Sequence, residues 1–262
     1  NIYNKITNYK KSKIITSIAV FYDLQNPVKF IKDIKSILDK EGIWVLEQSY
    51  FPSLIKNNAY DSICHEHLSY FMHRQLNLLL KNEKLKIIDV SFNNMNGGSV
   101  RFFISHQDSK YKVNSKNLSK VLNIENKLFG NFSKTKNQFR KNIINSKKKL
   151  NFLINKLNKK NKIIHIYGAS TKGNVIIQFC RLTKKMIPYA VERNSEKFGR
   201  YTPGSFIPII SEKTSRALNP DFFLVMPWHF KKEIVLREKL FLNKGGKLIF
   251  PLPNIRMVGK NK

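Results

Sequence analysis

Hydrophobic positions along this chain alternate between strand-like runs and helix-like spacing, and the changes of pattern mark three regions. Lys13 to Phe21 is an apolar, β-branched run that closes on Asp23 and Pro27. Phe30, Ile31, Ile34, Ile37 and Leu38 then recur on one helix face. Gly42 introduces a second strand, Ile43 to Glu47, and a helix is expected around Gln75 to Lys81. Leu85 to Phe92 and Val100 to His106 read as two strands joined by Asn93-Asn94-Met95-Asn96-Gly97-Gly98, a turn sequence suited to positive φ. An αβ series ending in a strand pair is unusual, and it is diagnostic within a doubly wound sheet.

The pattern changes after residue 107. Residues 108–161 are rich in Lys and Asn, with Leu118, Leu122, Leu128, Phe139, Ile143, Leu150, Ile154 and Leu157 at near-helical spacing. One or two amphipathic helices joining two domains are expected there, with the charge run as a solvated face. Residues 162–262 form a second α/β series. Ile163 to Tyr167 is a strand, Gly168-Ala169-Ser170-Thr171-Lys172-Gly173 a turn, and Asn174 to Arg181 a helix. Further strands are expected at Ile187 to Val191, Asp221 to Met226 and Lys247 to Phe250, with a helix through Lys231 to Leu242. The fold class is therefore α/β, with domain 1–107, linker 108–161 and a compact Rossmann-like domain 162–262.

Composition narrows the picture modestly. With 262 residues and 42% hydrophobic content, the chain can bury a real core and is not globally disordered. No run is long and apolar enough to span a bilayer, so no membrane partner is expected. Two cysteines, Cys64 and Cys180, sit in dissimilar contexts and give neither a disulfide framework nor zinc spacing, so the chain reads as cytoplasmic. Its first residue is Asn, which leads us to expect that an amino-terminal part precedes it. The net charge of +31 raises nucleic acid as a partner. The cations are mostly Lys, however, spread along the chain without interleaved aromatics, and no nucleic-acid partner is favoured.

Candidate chemistry concentrates in Tyr60 to Phe71, where two of the six histidines lie within twelve residues together with Glu66, Cys64, Tyr60 and Tyr70. Histidine titrates near neutrality, which suits proton transfer. His65 and His67 admit three readings: metal ligands, ordinary hydrogen-bonded polar residues, or a general acid or base. The first lacks a third ligand at customary spacing. Gly168 to Gly173 sits where a strand hands over to a helix, a place that favours anions, and Lys172 adds charge there. Glu192 closes the next strand, where dinucleotide folds place a ribose ligand. The turn is neither the full Gly-x-Gly-x-x-Gly nor a Walker loop, so a tight turn without a ligand stays open. Tyr22, within Phe21-Tyr22-Asp23-Leu24, and His229, after Trp228, each follow a strand at its carboxyl end, where ligands gather in open α/β sheets. Asn96-Gly97-Gly98-Ser99 reads locally as a hairpin turn.

Several short motifs in order resemble one family. They are Ser17-Ile18-Ala19-Val20-Phe21-Tyr22-Asp23-Leu24, Glu47-Gln48-Ser49-Tyr50, Cys64-His65-Glu66-His67 and Asn96-Gly97-Gly98-Ser99. Tyr167 to Gly173, Lys197-Phe198-Gly199-Arg200 with Pro203-Gly204, and Pro227-Trp228-His229-Phe230 continue the series. Nearly end to end, the chain resembles the carboxyl-terminal two thirds of SAM-dependent sugar C-methyltransferases, which act on nucleotide-linked keto-deoxysugars. The resemblance implies a partial class I methyltransferase (Rossmann-like) sheet in residues 1–107, comprising only its last four strands and ending in the reversed final one, then a second Rossmann-like domain.

The resemblance also implies S-adenosyl-L-methionine as cofactor, although the cofactor's glycine-rich loop lies outside this sequence and the fragment alone is expected to be inactive. Zinc is expected only in an amino-terminal module that is likewise outside it, and no metal is expected here. Carried over, His67 is the base, with Glu66 and His65 as supporting polar groups and Tyr70 or Asn96 as donors to an enolate oxygen. Tyr22, Asn96, Gly97, Gly98, Lys172, Glu192 and His229 fall to substrate binding. Where the family motif begins with Tyr, this chain has Cys64. Two rival readings remain: a nucleotide-binding, oxidoreductase-like protein without methyl transfer, resting on the Gly168 turn and Glu192, and a basic RNA-binding protein or RNA methyltransferase, resting on charge.

Overall fold

The computed structural model describes residues 10–260. Its packing divides the chain into two compact units, the first holding the chain through Lys56 and His65–Thr135, the second Asn57–Cys64 and Lys136–Lys262. Both are mixed α/β. The return of eight residues, Asn57–Cys64, to the second unit has no counterpart in the hydrophobic pattern.

In the first unit β1 (Ser12–Ile18), β2 (Leu38–Ser49), β3 (Leu85–Asn93) and β4 (Ser99–His106) form a sheet of order β1-β2-β4-β3. β1 and β2 are parallel, and β4 runs antiparallel to both β2 and β3. The final strand is therefore reversed relative to β2, and it lies between β2 and β3. Parallel strands need a crossover, and α1 (Pro27–Ile37) supplies it. Asn26 caps α1 by accepting from the Lys29 N–H at 2.9 Å, and Pro27 fills the first turn, where a missing N–H costs nothing.

β1 is shorter than the Lys13–Phe21 run suggested. Ala19 turns to φ 55° and ends the strand, and Phe21–Asp23 forms a 3-10 turn. β2 is longer than expected, because Gly42 lets its backbone approach β1: a Cβ there would lie 2.8 Å from the Ser12 carbonyl oxygen. The β3–β4 turn carries three positive φ values, at Asn96 (54°), Gly97 (88°) and Gly98 (123°), which explains its Asn-Gly-Gly sequence. Phe21, Trp44, Leu76, Leu80, Leu85 and Phe102 are wholly buried in this unit's core.

Around the sheet lie α2 (Phe51–Lys56), α3 (His73–Asn82) and α4 (Ser115–Phe129), with the long α5 (Phe132–Asn158) after them. The 108–161 segment is thus two helices. Glu125, amid the Lys- and Asn-rich surface residues of α4, has a fully buried side chain. Its Oε1 accepts from the Tyr50 hydroxyl at 2.9 Å and the His73 N–H at 2.6 Å, and its Oε2 accepts from the Arg74 N–H at 3.4 Å. A carboxylate is thereby held at the amino terminus of α3, where the helix dipole favours negative charge.

The second sheet has the order β10-β9-β8-β5-β6-β7. It is built from β5 (Ile164–Tyr167), β6 (Ala190–Glu192), β7 (Ile209–Ser211), β8 (Phe222–Val225), β9 (Lys247–Phe250) and β10 (Arg256–Val258). All its pairings are parallel except β9–β10. Chain order reverses between β5 and β8, the switch point of a doubly wound sheet. α6 (Thr171–Cys180) follows β5, capped by Ser170, which accepts from the Gly173 N–H at 3.1 Å. α7 (Glu212–Ala217) precedes β8. The expected single helix over Lys231 to Leu242 is two, α8 (Lys231–Arg237) and α9 (Lys239–Asn243), divided at the buried Glu238. The three-residue strands β7 and β10 were too short to register as periodic patterns.

Among the described residues no helix is long and apolar enough to cross a membrane. The packing around Glu125 makes a clear prediction. Glu125→Ala leaves the Tyr50 hydroxyl and two helix N–H groups without their buried acceptor, and should destabilise the chain by about 3 kcal/mol, read as a lower urea midpoint.

Candidate functional site

The first unit gathers its polar groups at the carboxyl ends of β1 and β2. After β1, the 3-10 turn buries Phe21 and Tyr22, and the Tyr22 carbonyl accepts from the Ser69 N–H at 3.0 Å. That bond lays the strap of residues 65–72 along the turn. The His67 ring consequently rests on Tyr22, with centroids 4.4 Å apart, and Tyr70 lies 6.5 Å from His67. At its far end the strap is held by the Phe51 N–H donating to the Phe71 carbonyl at 3.4 Å and by the His73 N–H bond to Glu125. His67 is half-buried, whereas His65 and Glu66 are exposed.

The Asn96–Gly98 turn joins the same edge. The Tyr50 N–H donates to the Gly98 carbonyl at 3.2 Å, and Ser49 pairs with Ser99 across β2 and β4. Tyr22, His67 and Tyr70 are therefore neighbours, and Asn96, Gly97 and Gly98 stand beside the end of β2. Glu47, in the same motif as Gln48, is tied across the sheet to Arg101, whose Nη2 and Nε lie 2.6 Å and 2.8 Å from Oε2.

Lys172, Glu192 and His229 belong to the second unit, at the carboxyl ends of β5, β6 and β8. Gly168 adopts φ 90°, and a Cβ there would meet the Pro227 ring at 3.0 Å; a Cβ on Gly173 already lies 2.9 Å from Met226. Both glycines let the turn close tightly on the segment after β8. Glu192 is spoken for internally. Oε1 accepts from the Arg193 and Asn194 N–H groups at 2.7 and 3.3 Å, and Oε2 accepts from the Ala169 N–H at 3.2 Å and from Lys197 Nζ at 3.4 Å. Those partners hold its pKa below the ordinary carboxylate value although burial opposes them. A ribose would have to displace them.

Lys172 Nζ is shut off from solvent with no hydrogen-bond partner. Its charge bears on Asp61, 1% exposed, whose Oδ2 accepts from Trp228 Nε1 at 2.8 Å while Oδ1 is left unpaired. Burial pushes the Asp61 carboxyl upward against the Trp228 bond and the Lys172 charge. Burial and Lys172 together press His229 down to about 4, so its ring is neutral at physiological pH. Asp61 had no motif to mark it, because its role depends on the return of Asn57–Cys64 to this unit. A cavity of about 360 Å³ opens beside these strand ends, lined by Tyr167, Gly168, Val191, Glu192, Pro227 and Phe230 among others. A larger one, about 520 Å³, lies at the opposite strand ends, where Asp221 and Gly246 precede β8 and β9. Position at the switch point, not size, marks the candidate. Among the described residues no group of three or more His, Cys, Asp or Glu is placed to hold a metal ion.

The family model described as the C-methyltransferase C-terminal domain matches residues 94–253. The chain is 27% identical over 252 residues to C-methyltransferase NovU of Streptomyces niveus, covering 96% of this chain and 60% of that protein. It thus spans less than two thirds of the length of that curated relative.

Buried histidines set an acid limit on the second unit. His165, 1% exposed and 2.8 Å from Ser215 Oγ, is lowered by burial from its ordinary 6.5 to about 4, as is His229. Below pH 6.5 the unfolded chain takes up protons that the folded one refuses. The associated stability is therefore complete above pH 6.5 and lost as the pH falls towards 4. Urea titrations at pH 7, 5.5 and 4.5 should show that decline, and His165→Asn, which keeps a polar partner for Ser215, should make it shallower.

Proposed function

The chain belongs to the C-methyltransferase C-terminal domain family, and from that premise we propose that it is part of a SAM-dependent C-methyltransferase acting on a nucleotide-linked keto-deoxysugar. The observation that carries this reading is the placement of His67 on Tyr22 at the carboxyl edge of the first sheet, with Tyr70 and the Asn96–Gly98 turn at the same strand ends. Methylating carbon requires a carbanion equivalent, obtained by removing a proton α to a ketone. A half-buried imidazole suits that task at neutral pH. His67 takes the proton, and Tyr70 or Asn96 donates to the oxygen on which enolate charge develops. Packing against Tyr22 fixes the plane of the base, and the backbone bond from Ser69 fixes its height along the strand end.

S-adenosyl-L-methionine supplies, when bound, an electrophilic methyl group. Among the described residues of the first unit, the strand-to-helix passages run through Ile18–Asn26 and Ser49–Phe51 without a glycine. These residues do not by themselves fit the cofactor, and none of the roles assigned above runs through it. His65 and Glu66, both exposed, stand on the same strap as polar support for His67. Within the second unit, Lys172 offers a charge to an anionic ligand group near the amino terminus of α6, and the neutral His229 offers a hydrogen bond. Glu192 acts by shaping the Gly168 turn. With its oxygens engaged, it gives little support to the rival dinucleotide reading. The dispersed lysines give RNA binding no defined groove.

Transfer of labelled methyl to a panel of nucleotide 4-keto-deoxysugars by the full-length protein tests the proposal. Label on a sugar carbon, reduced roughly 10²- to 10⁴-fold by His67→Ala, is the expected result for loss of a general base. Undiminished transfer by that variant removes His67 from the chemistry, and transfer to no keto sugar removes the substrate class.

A further inference from the structure

β2 carries a row of side chains on one face, Trp44, Leu46 and Gln48, that continues to Tyr50 beyond the strand end. All four residues are at most 1% exposed. Three have polar atoms, and two of those are satisfied: Trp44 Nε1 donates to Ser17 Oγ at 3.0 Å, and the Tyr50 hydroxyl donates to Glu125. Gln48 is the exception. Its Oε1 and Nε2 are both shut off from solvent and have no hydrogen-bond partner, and the neighbouring Ser49 Oγ is in the same state. An unpaired buried amide opposes folding, and an apolar residue of the same shape would avoid that cost.

The location suggests what offsets it. Gln48 lies one residue past Glu47, the partner of Ile18 at the end of β1, and opposite Val100, one residue into β4 from Ser99. It therefore stands between the β1 turn that carries Tyr22 and His67 and the turn containing Asn96. Other orphaned side chains in this unit lack that setting. The His73 ring, unpaired at both nitrogens, begins α3 and packs near Phe102, where burial lowers its pKa, and Ser109 lies after β4.

We propose that the Gln48 amide is a substrate-binding group that receives the reacting ketone of a keto sugar and its adjacent hydroxyl. A primary amide presents one donor and one acceptor side by side. Nε2 donates to the ketone oxygen and Oε1 accepts from the neighbouring hydroxyl. The ketone oxygen gains negative charge as the α proton leaves, so the Nε2 hydrogen bond strengthens during the reaction. The inference rests on the C-methyltransferase reading above and adds a donor that the motif pattern did not single out.

Gln48→Met conserves length and approximate volume while removing both polar atoms. Thermal unfolding of the 262-residue chain should then show an unchanged or higher melting temperature. Methyl transfer by the full-length variant should lose on the order of a hundredfold or more in kcat, with a smaller change in KM. A lowered melting temperature would mean that the amide supports the fold and would overturn the proposal. So would an unchanged kcat in an enzyme whose wild type is active. A wild-type protein inactive on every keto sugar defeats the reaction class itself and the proposal with it, a result separate from the activity comparison between variant and wild type.

Discussion

The strap of residues 65–72 has no repeating hydrogen bonds of its own, so its position depends on borrowed partners, and the most demanding of these is the Glu125 carboxylate. Burying that carboxylate is tolerable only because the Tyr50 hydroxyl and the first N–H groups of α3 surround it. The same contacts fix where β2 gives way to α2 and where the strap gives way to α3. With those two junctions set, the Ser69 bond to Tyr22 places His67 by elimination of freedom, not by any preference of the histidine itself. A residue on a linker-like helix thus determines the geometry of a candidate catalytic group far from it in sequence.

Sequence patterning revealed whatever depended on local periodicity or on turn chemistry. The β3–β4 pair and its Asn-Gly-Gly connection were legible because positive φ values demand those residue types. β9 was legible from its apolar run, and the α6 turn from Gly168 to Gly173 lying between a strand pattern and a helix pattern. What stayed hidden depends on tertiary pairing. Glu125 sits in a stretch of Lys and Asn that reads as solvated surface, and nothing local distinguishes it from the exposed acids. Asp61 lies close to the histidines in sequence, yet the return of Asn57–Cys64 places it with Trp228 in the second unit. The candidate chemistry was legible in His67, Tyr70 and Tyr22, whose spacing in sequence gives no hint that the rings touch.

Glu192 was singled out for its position, and the structure shows its carboxylate engaged with the chain itself. An acidic residue closing the second strand of a doubly wound series is where a ribose ligand is expected. Its four hydrogen bonds instead bind the Gly168 turn to the loop after β6. The carboxylate's work is to stabilise backbone N–H groups that point inward around a left-handed glycine. A backbone with that much internal satisfaction is a rigid frame, and rigidity is what a nearby cation such as Lys172 needs if it is to be held without a partner.

Glu125 and Gln48 are opposite solutions to one problem. Each is a polar side chain more than nine-tenths buried, one charged and the other neutral. Charge is the more expensive to bury, yet Glu125 is the better settled, because its partners, the Tyr50 hydroxyl and the first N–H groups of α3, are built from the chain. Gln48 is cheaper to bury and is left unpaired at a strand end where α/β sheets receive ligands. If misfit packing were the cause, the shortfall would be expected at the costlier group. Its appearance at the neutral amide, between two turns that carry candidate chemistry, is the pattern produced when selection tolerates a loss of stability at a place that contacts substrate.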